Sequence, residues 1–406
     1  MSPTFTFGST RFGAWRRIGL LGFVSVAAAL LHACGGGVEG QGTGSVSSYS
    51  EGPIAGFGSI IVNGIHFDES QAAISDDDGN LLSAADLKLG MTVRIDGGAI
   101  DQTLGTAVAD AVHVGSDLIG PVSANDVVGS TLTVLGQTVR VTASTVFDEN
   151  LVGGQSVIVP GDDVEVFAIL DPVSGVYAAQ RIELKGTPSA YKLRGVVANL
   201  DTVQHTLQIG AASFSYAADI APVNLANGQI VRLKLETTPD ANGRWVITRF
   251  DDGAARPAEG DEVEIESVIA SYTSNADFTL SGVRVNAASA SIEPAGATLA
   301  AGVRVEVEGT MSGGVLIASK VEVKGSGDDG GDDSGGGRNI EIEAHISAID
   351  PVAMTFVLRE QVVDYSDAEI KNGTADDLAV DVKVKVHGQL SEDGTTVVAS
   401  EVEIED

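Results

Sequence analysis

From Glu51 onward the chain alternates apolar and polar residues in short runs separated by Gly, Asn and Asp. Val303-Arg304-Val305-Glu306-Val307 and Val382-Lys383-Val384-Lys385-Val386 alternate strictly, one face apolar and the other charged. A period of two marks a half-buried antiparallel strand. Ser59–Val62 and Leu132–Leu135 are shorter runs of the same kind. Asn63-Gly64, set between Ile60–Val62 and Ile65–Phe67, has the residues of a two-residue hairpin, whose central positions need positive φ. No stretch keeps the 3.6-residue period of an amphipathic helix. The pattern predicts an all-β protein.

The runs recur as phrases. Gly90-Met91-Thr92-Val93-Arg94-Ile95 returns as Gly161–Val166, Gly228–Leu233 and Gly302–Val307, and without its glycine as Val380–Val384. A hairpin follows each, then a closing phrase: Ala109–Val114, Ala179–Leu184, Ile247–Phe250, Ala318–Val323 and Ala399–Ile404. An early hairpin reads Thr131–Gly136, Thr206–Gly210 and Phe278–Gly282. The phrases divide the chain into five β repeats, 51–114, 115–185, 186–254, 255–324 and 339–406. Each holds about five or six short strands. A small barrel of the oligonucleotide-binding (OB) type fits that number, with a small sandwich as the competing shape. Closure removes sheet edges that otherwise invite aggregation. Residues 325–338, GSGDDGGDDSGGGR, have almost nothing to bury and read as an acidic linker.

Composition agrees with thin cores. Aromatic residues are 5% of the chain and glycines number 50, so Val, Ile, Leu and Ala must fill the barrels. The net charge of −32 repels phosphate backbones and anionic headgroups. No basic stripe is legible, so nucleic acid is excluded as a partner. One cysteine, Cys34, allows no internal disulfide.

The N-terminal segment reads as an address. Arg11, Arg16 and Arg17 precede the apolar run Ile18–Leu31, which is too short to span a bilayer and matches a signal-peptide core. Leu31-His32-Ala33-Cys34 resembles a bacterial lipobox, although His32 departs from the usual small residue. The resemblance implies cleavage after residue 33 and acylation of Cys34, and the Gly- and Ser-rich composition of 34–50 reads as a flexible tether. Two or three acyl chains give stable anchoring. Gly36 in place of Asp, by resemblance to sorting rules, points to the outer membrane. The expected partners are the membrane, through the anchor, and envelope proteins.

Candidate chemistry is sparse. No Gly-x-Ser-x-Gly elbow leads into a helix, and no serine pairs with a histidine in the sequence pattern. His66, His113, His205, His345 and His387 form no metal-binding spacing. His113 and His387 alternate with apolar neighbours and should face solvent. Asp76-Asp77-Asp78-Gly79-Asn80 carries oxygen ligands on a tight turn, which makes Asp76, Asp78 and Asn80 a calcium candidate. The twelfth position of a helix-loop-helix calcium loop holds Leu87 instead of Glu, so a plain hairpin turn is the simpler reading. Trp245 should pack a barrel core. No catalytic residues and no cofactor are expected.

Gly52–Asp68, Asp76–Asn80 and Leu87–Met91 together resemble the opening of bacterial proteins built from the domain of unknown function 5666. The first repeat carries the resemblance best, the second clearly, and the others mainly in their closing strands. The resemblance implies tandem copies behind a lipoprotein signal and assigns no catalytic or binding residue. The expected function is a non-enzymatic, lipid-anchored envelope scaffold or interaction module. The alternative is an envelope module that binds a small molecule, a glycan or, with calcium, a protein.

Overall fold

The computed structural model describes residues 47–324 and 339–405. The expected signal peptide, Cys34 and the acidic linker lie outside the described residues. Among those described there are strands and single turns of 3-10 helix, and no α-helix.

Each repeat closes by one rule. In barrel 1 the strand Ser47–Phe57 pairs antiparallel with Ile60–Val62, which pairs with Ile65–Asp68 through the expected turn at Asn63 and Gly64. Ile65–Asp68 runs parallel to the last strand, Thr106–Val114. That strand is antiparallel to Thr92–Gly98, which returns to Ser47–Phe57 and closes the ring. A short strand, Ala73–Asp76, also lies parallel to the last one. Counting the five main strands in chain order, the ring runs 1-2-3-5-4-1. Barrels 2, 4 and 5 repeat it, short extra strand included. Barrel 3 closes the same way, and the first strand is interrupted at Val197 in barrel 3 and at Ile346-Ser347 in barrel 5. The barrel reading therefore holds over the sandwich.

The recurring glycine of the first phrase has a backbone reason. Gly90, Gly161, Gly228 and Gly302 all have φ between +79° and +101°. In each barrel the N–H at this position bonds a carbonyl of the first strand, as in Gly90 to Ile54 and Gly302 to Ile269, both 2.9 Å. Barrel 5 puts Asp381 there at φ +71°, bonded to Ile346.

The barrels do not pack in chain order. Ser48–Glu51 pairs parallel with Glu262–Ile265 of barrel 4, and Gly56-Phe57 pairs parallel with Glu341-Ile342 of barrel 5. A Cβ on Gly56 would stand 2.3 Å from the Glu341 carbonyl oxygen, so only glycine permits that approach. Barrels 1, 4 and 5 thus share one 19-stranded network, and barrels 2 and 3 share a 12-stranded one. The apolar clusters divide differently: barrels 1 and 5 share one, joined by Val146 and Phe167 of barrel 2, barrels 2 and 3 share another, and barrel 4 has its own. Tyr49 completes the barrel 4 cluster at 1% exposure. This corrects the tether reading, because Ser47–Ser50 already belong to a strand that two barrels share.

An L-residue in the left-handed region costs more than glycine does. Asp381→Gly should therefore stabilise the protein by about 0.5–1 kcal/mol, read as a higher urea midpoint. An unchanged or lower midpoint would show that this position carries no strain.

Candidate functional site

Barrel 3 carries a ladder of cations on its outer face. Lys192 lies directly opposite Lys234, and Arg194 opposite Arg232. Arg249 continues the row beside Lys234. Like charges directly opposed on one sheet face repel. The basic stripe that the sequence did not reveal therefore exists, and it is already neutralised. Asp77 of barrel 1 pairs with Lys192 and, at 2.7 Å, with Arg232. Asp78 meets Lys192 at 2.8 Å and both Lys234 and Arg249 at 3.0 Å. Burial works against the Asp78 charge, yet hydrogen bonds from Lys192 and Lys234 hold its carboxyl well below the usual range. Asp117 of the barrel 1–2 connection meets Arg194 at 3.3 Å and accepts the Ala168 N–H at 3.0 Å. Burial pushes the Asp117 carboxyl up, and Arg194 and Arg232 pull it back only in part.

Where these contacts meet, barrels 1 to 4 enclose a cleft of about 370 Å³. Barrel 1 contributes Ser75, Arg94 and His113, and barrel 3 contributes Arg194 and Arg232. Ala168, Ile169 and Leu170 of barrel 2 form an apolar wall. The His113 Nδ1 lies 3.0 Å from the Ser75 hydroxyl, and its Nε2 lies 3.8 Å from Asp96. Burial, with Arg94 nearby, lowers the His113 pKa. The expectation that no serine pairs with a histidine is thus overturned here and at Ser59–His66, 3.3 Å apart. The partners come together by register across parallel strands, Ser75 facing His113, which no sequence spacing displays.

A second cavity, about 560 Å³, opens between barrels 1, 4 and 5. Glu264, Glu306 and Glu308 line it with Lys320 and Lys324. Lys320 pairs with Glu308 at 2.8 Å and Lys324 with Glu306 at 3.2 Å. Glu264 is 3% exposed and its Oε2 is buried without a hydrogen-bond partner. Burial, reinforced by Glu306 and Glu308, pushes the Glu264 carboxyl up to about 8. Burial lifts Glu306 to about 7 against the pull of Lys324.

The calcium candidates have other work. Asp76 Oδ1 accepts the N–H of Asp78 at 2.9 Å and of Asn80 at 2.8 Å, and Asn80 Nδ2 donates to Asp76 Oδ2. That is an Asp-stabilised turn. Asp78 is committed to three protein cations, and Leu87 is fully buried in the barrel 1 core. Among the described residues no group of three His, Cys, Asp or Glu is arranged to hold a metal. His113 and His387 are half-buried. Trp245 packs edge-on against Tyr191, ring centroids 5.5 Å apart, at the margin of its core.

The fold and site define a tandem-repeat protein of closed OB-like barrels clustered round a charged cleft. Residues 119–183, 266–322 and 343–403, in barrels 2, 4 and 5, match the domain of unknown function DUF5666, three matches consistent with tandem copies of that domain. Barrels 1 and 3 lie outside the matched segments and share the same strand order. No curated protein matches the chain.

Two outcomes test these contacts. If the ladder docks barrel 1 on barrel 3, Asp78→Asn should cost about 2 kcal/mol, because it leaves half-buried cations uncompensated. A double-mutant cycle with Lys234→Gln should then give a coupling near 1 kcal/mol, and zero coupling would remove Asp78–Lys234 from the docking account. For Glu264, the folded state holds the proton to about pH 8, whereas the ordinary value is 4.5. The native state binds more protons across that window, so stability falls as pH rises through it. Glu264→Gln should flatten this fall, leaving stability similar near pH 4 and higher than the parent at pH 8.5. Equal pH profiles for the two proteins would rule out the buried acid.

Proposed function

We propose that the protein is a non-enzymatic binding module of the bacterial cell envelope, anchored through an acylated Cys34, that takes a small ligand in the four-barrel cleft. The observation that carries the reading is the cleft itself. Residues from four repeats converge on one opening of ligand size, with charged groups at one side and an apolar wall at the other. A passive spacer needs only barrels in line. Here barrel 1 is bonded to barrels 4 and 5 and ion-paired to barrel 3, so the cleft is held from several directions. The lipobox-like Cys34 supports the anchor, and the charge of −32 makes unaided adsorption to anionic lipid unfavourable.

A second reading, acyl transfer at Ser75, is favoured by the Ser75–His113–Asp96 array. It is the weaker one. Asp96 stands beyond hydrogen-bond distance of the ring and is half exposed, so it orients the imidazole poorly.

Membrane fractionation and intact mass of native and Cys34→Ser protein test the anchor. The native form should be acylated and membrane-bound, and the variant released or unprocessed. Equal processing and solubility of both would remove the anchor. Ester hydrolysis lost in Ser75→Ala would replace the binding reading by the catalytic one.

A further inference from the structure

Arginine is always charged and prefers a planar anion that can accept two of its N–H groups. This chain has 56 acidic and only 24 basic residues, so a half-buried guanidinium should find a carboxylate easily. In the cleft, Arg194 and Arg232 do so. Arg94 does not. It is half-buried, it lines the cleft, and among the described residues no carboxylate lies within ion-pair distance of it. Its neighbours are turned to other partners. Glu51, directly opposite Arg94, accepts the Tyr49 hydroxyl at 2.8 Å and the Ser281 hydroxyl at 3.4 Å. Asp96 faces His113. His113, the partner of Arg94 on the other adjoining strand, bonds Ser75. One further group nearby is unmatched: Ser116, between the lining residues Gly115 and Asp117, has a buried hydroxyl without a partner.

We propose that Arg94 anchors the carboxylate of a small organic acid whose apolar body lies against Ala168, Ile169 and Leu170. The inference deepens the cleft reading and rests on it. The wall residues are each at most 6% exposed, so the apolar surface they offer is confined to the cleft. The remaining cleft acids are engaged: Asp77 and Asp117 with barrel 3 cations, Asp251 with Arg249, Asp252 with Arg256, Glu266 with Arg304, and Asp76 with the N–H groups of its own turn. They leave the Arg94 charge unanswered. A carboxylate supplies the missing pair, and the cleft supplies the dry surface for the rest of the molecule.

The experiment titrates the full mature protein with benzoate and phenylacetate, and with benzamide and benzylamine as neutral and cationic counterparts. Calorimetry gives affinity, and hydrogen exchange locates the site. The acids should bind one per chain and protect 92–98 and 106–114, with benzamide at least tenfold weaker and benzylamine not bound. Arg94→Gln should weaken the acids at least tenfold, and Arg94→Lys should retain part of the affinity. Melting temperatures near the parent's confirm that both variants fold, and Arg94→Lys keeps the test open if Arg94→Gln does not. Protection of the same strands with no preference for acids, or none lost in Arg94→Gln, would overturn the anchor and leave the cleft reading standing. No protection of those strands by any compound would overturn both.

Discussion

Opposed like charges on barrel 3 are the constraint on which the assembly turns. Lys192 and Lys234 face each other, as do Arg194 and Arg232, and an isolated barrel 3 would carry that repulsion on one face. Asp251 of the same barrel answers Arg249, and anions delivered from outside the barrel answer the opposed pairs. Asp77 and Asp78 arrive on the turn after Ala73–Asp76, and Asp117 arrives from the barrel 1–2 connection. The turn is shaped by Asp76, which accepts two backbone N–H groups and so presents the next two carboxylates outward. Local turn chemistry thereby becomes tertiary structure.

The same contacts explain why an opening remains among the barrels. Curved barrels leave gaps where they meet, and charged side chains in those gaps resist collapse because desolvating them is costly. At the barrel 1–4–5 junction the balance is different. There Glu264 and Glu306 are buried together, and their raised proton affinities reflect burial that their neighbouring cations offset only in part. One junction is held by paired charge and the other tolerates an acid in its neutral form.

Much of the fold was legible in the residues. Alternation gave the strands, the recurring glycines marked left-handed turns, and the Val-rich phrases marked the fourth and fifth barrel strands. Pairing between barrels was not legible, because a free edge offers backbone groups to any partner and leaves no side-chain pattern. Gly56 is the exception that could have been read: a glycine inside a strand signals close approach of another backbone. The Asp76–Asn80 turn was legible from its Asp, Asn and Gly residues, whereas the protein cations that meet Asp78 were not. The concentration of Lys192, Arg194, Arg232, Lys234 and Arg249 in one repeat of an acidic chain was the available signal. The cleft was invisible for a simpler reason, since Ser75, Arg94, Ala168 and Arg232 come from three repeats and meet only in space.

The strand Ser47–Phe57 has a temporal consequence. It is made first, yet its outer partners begin at Glu262 and Glu341, roughly 200 and 280 residues downstream. At about 5–20 residues per second, synthesis leaves the outward stretches Ser48–Glu51 and Gly56-Phe57 without these partners for roughly ten seconds to a minute. Barrels 2 and 3, by contrast, have every sheet partner close at hand and need not wait. Assembly therefore follows an order different from translation, with the central pair completing while the leading barrel, closed on itself, still lacks its outer partners. During that interval the nascent chain displays a strand that a holding chaperone, or a second nascent copy, would recognise.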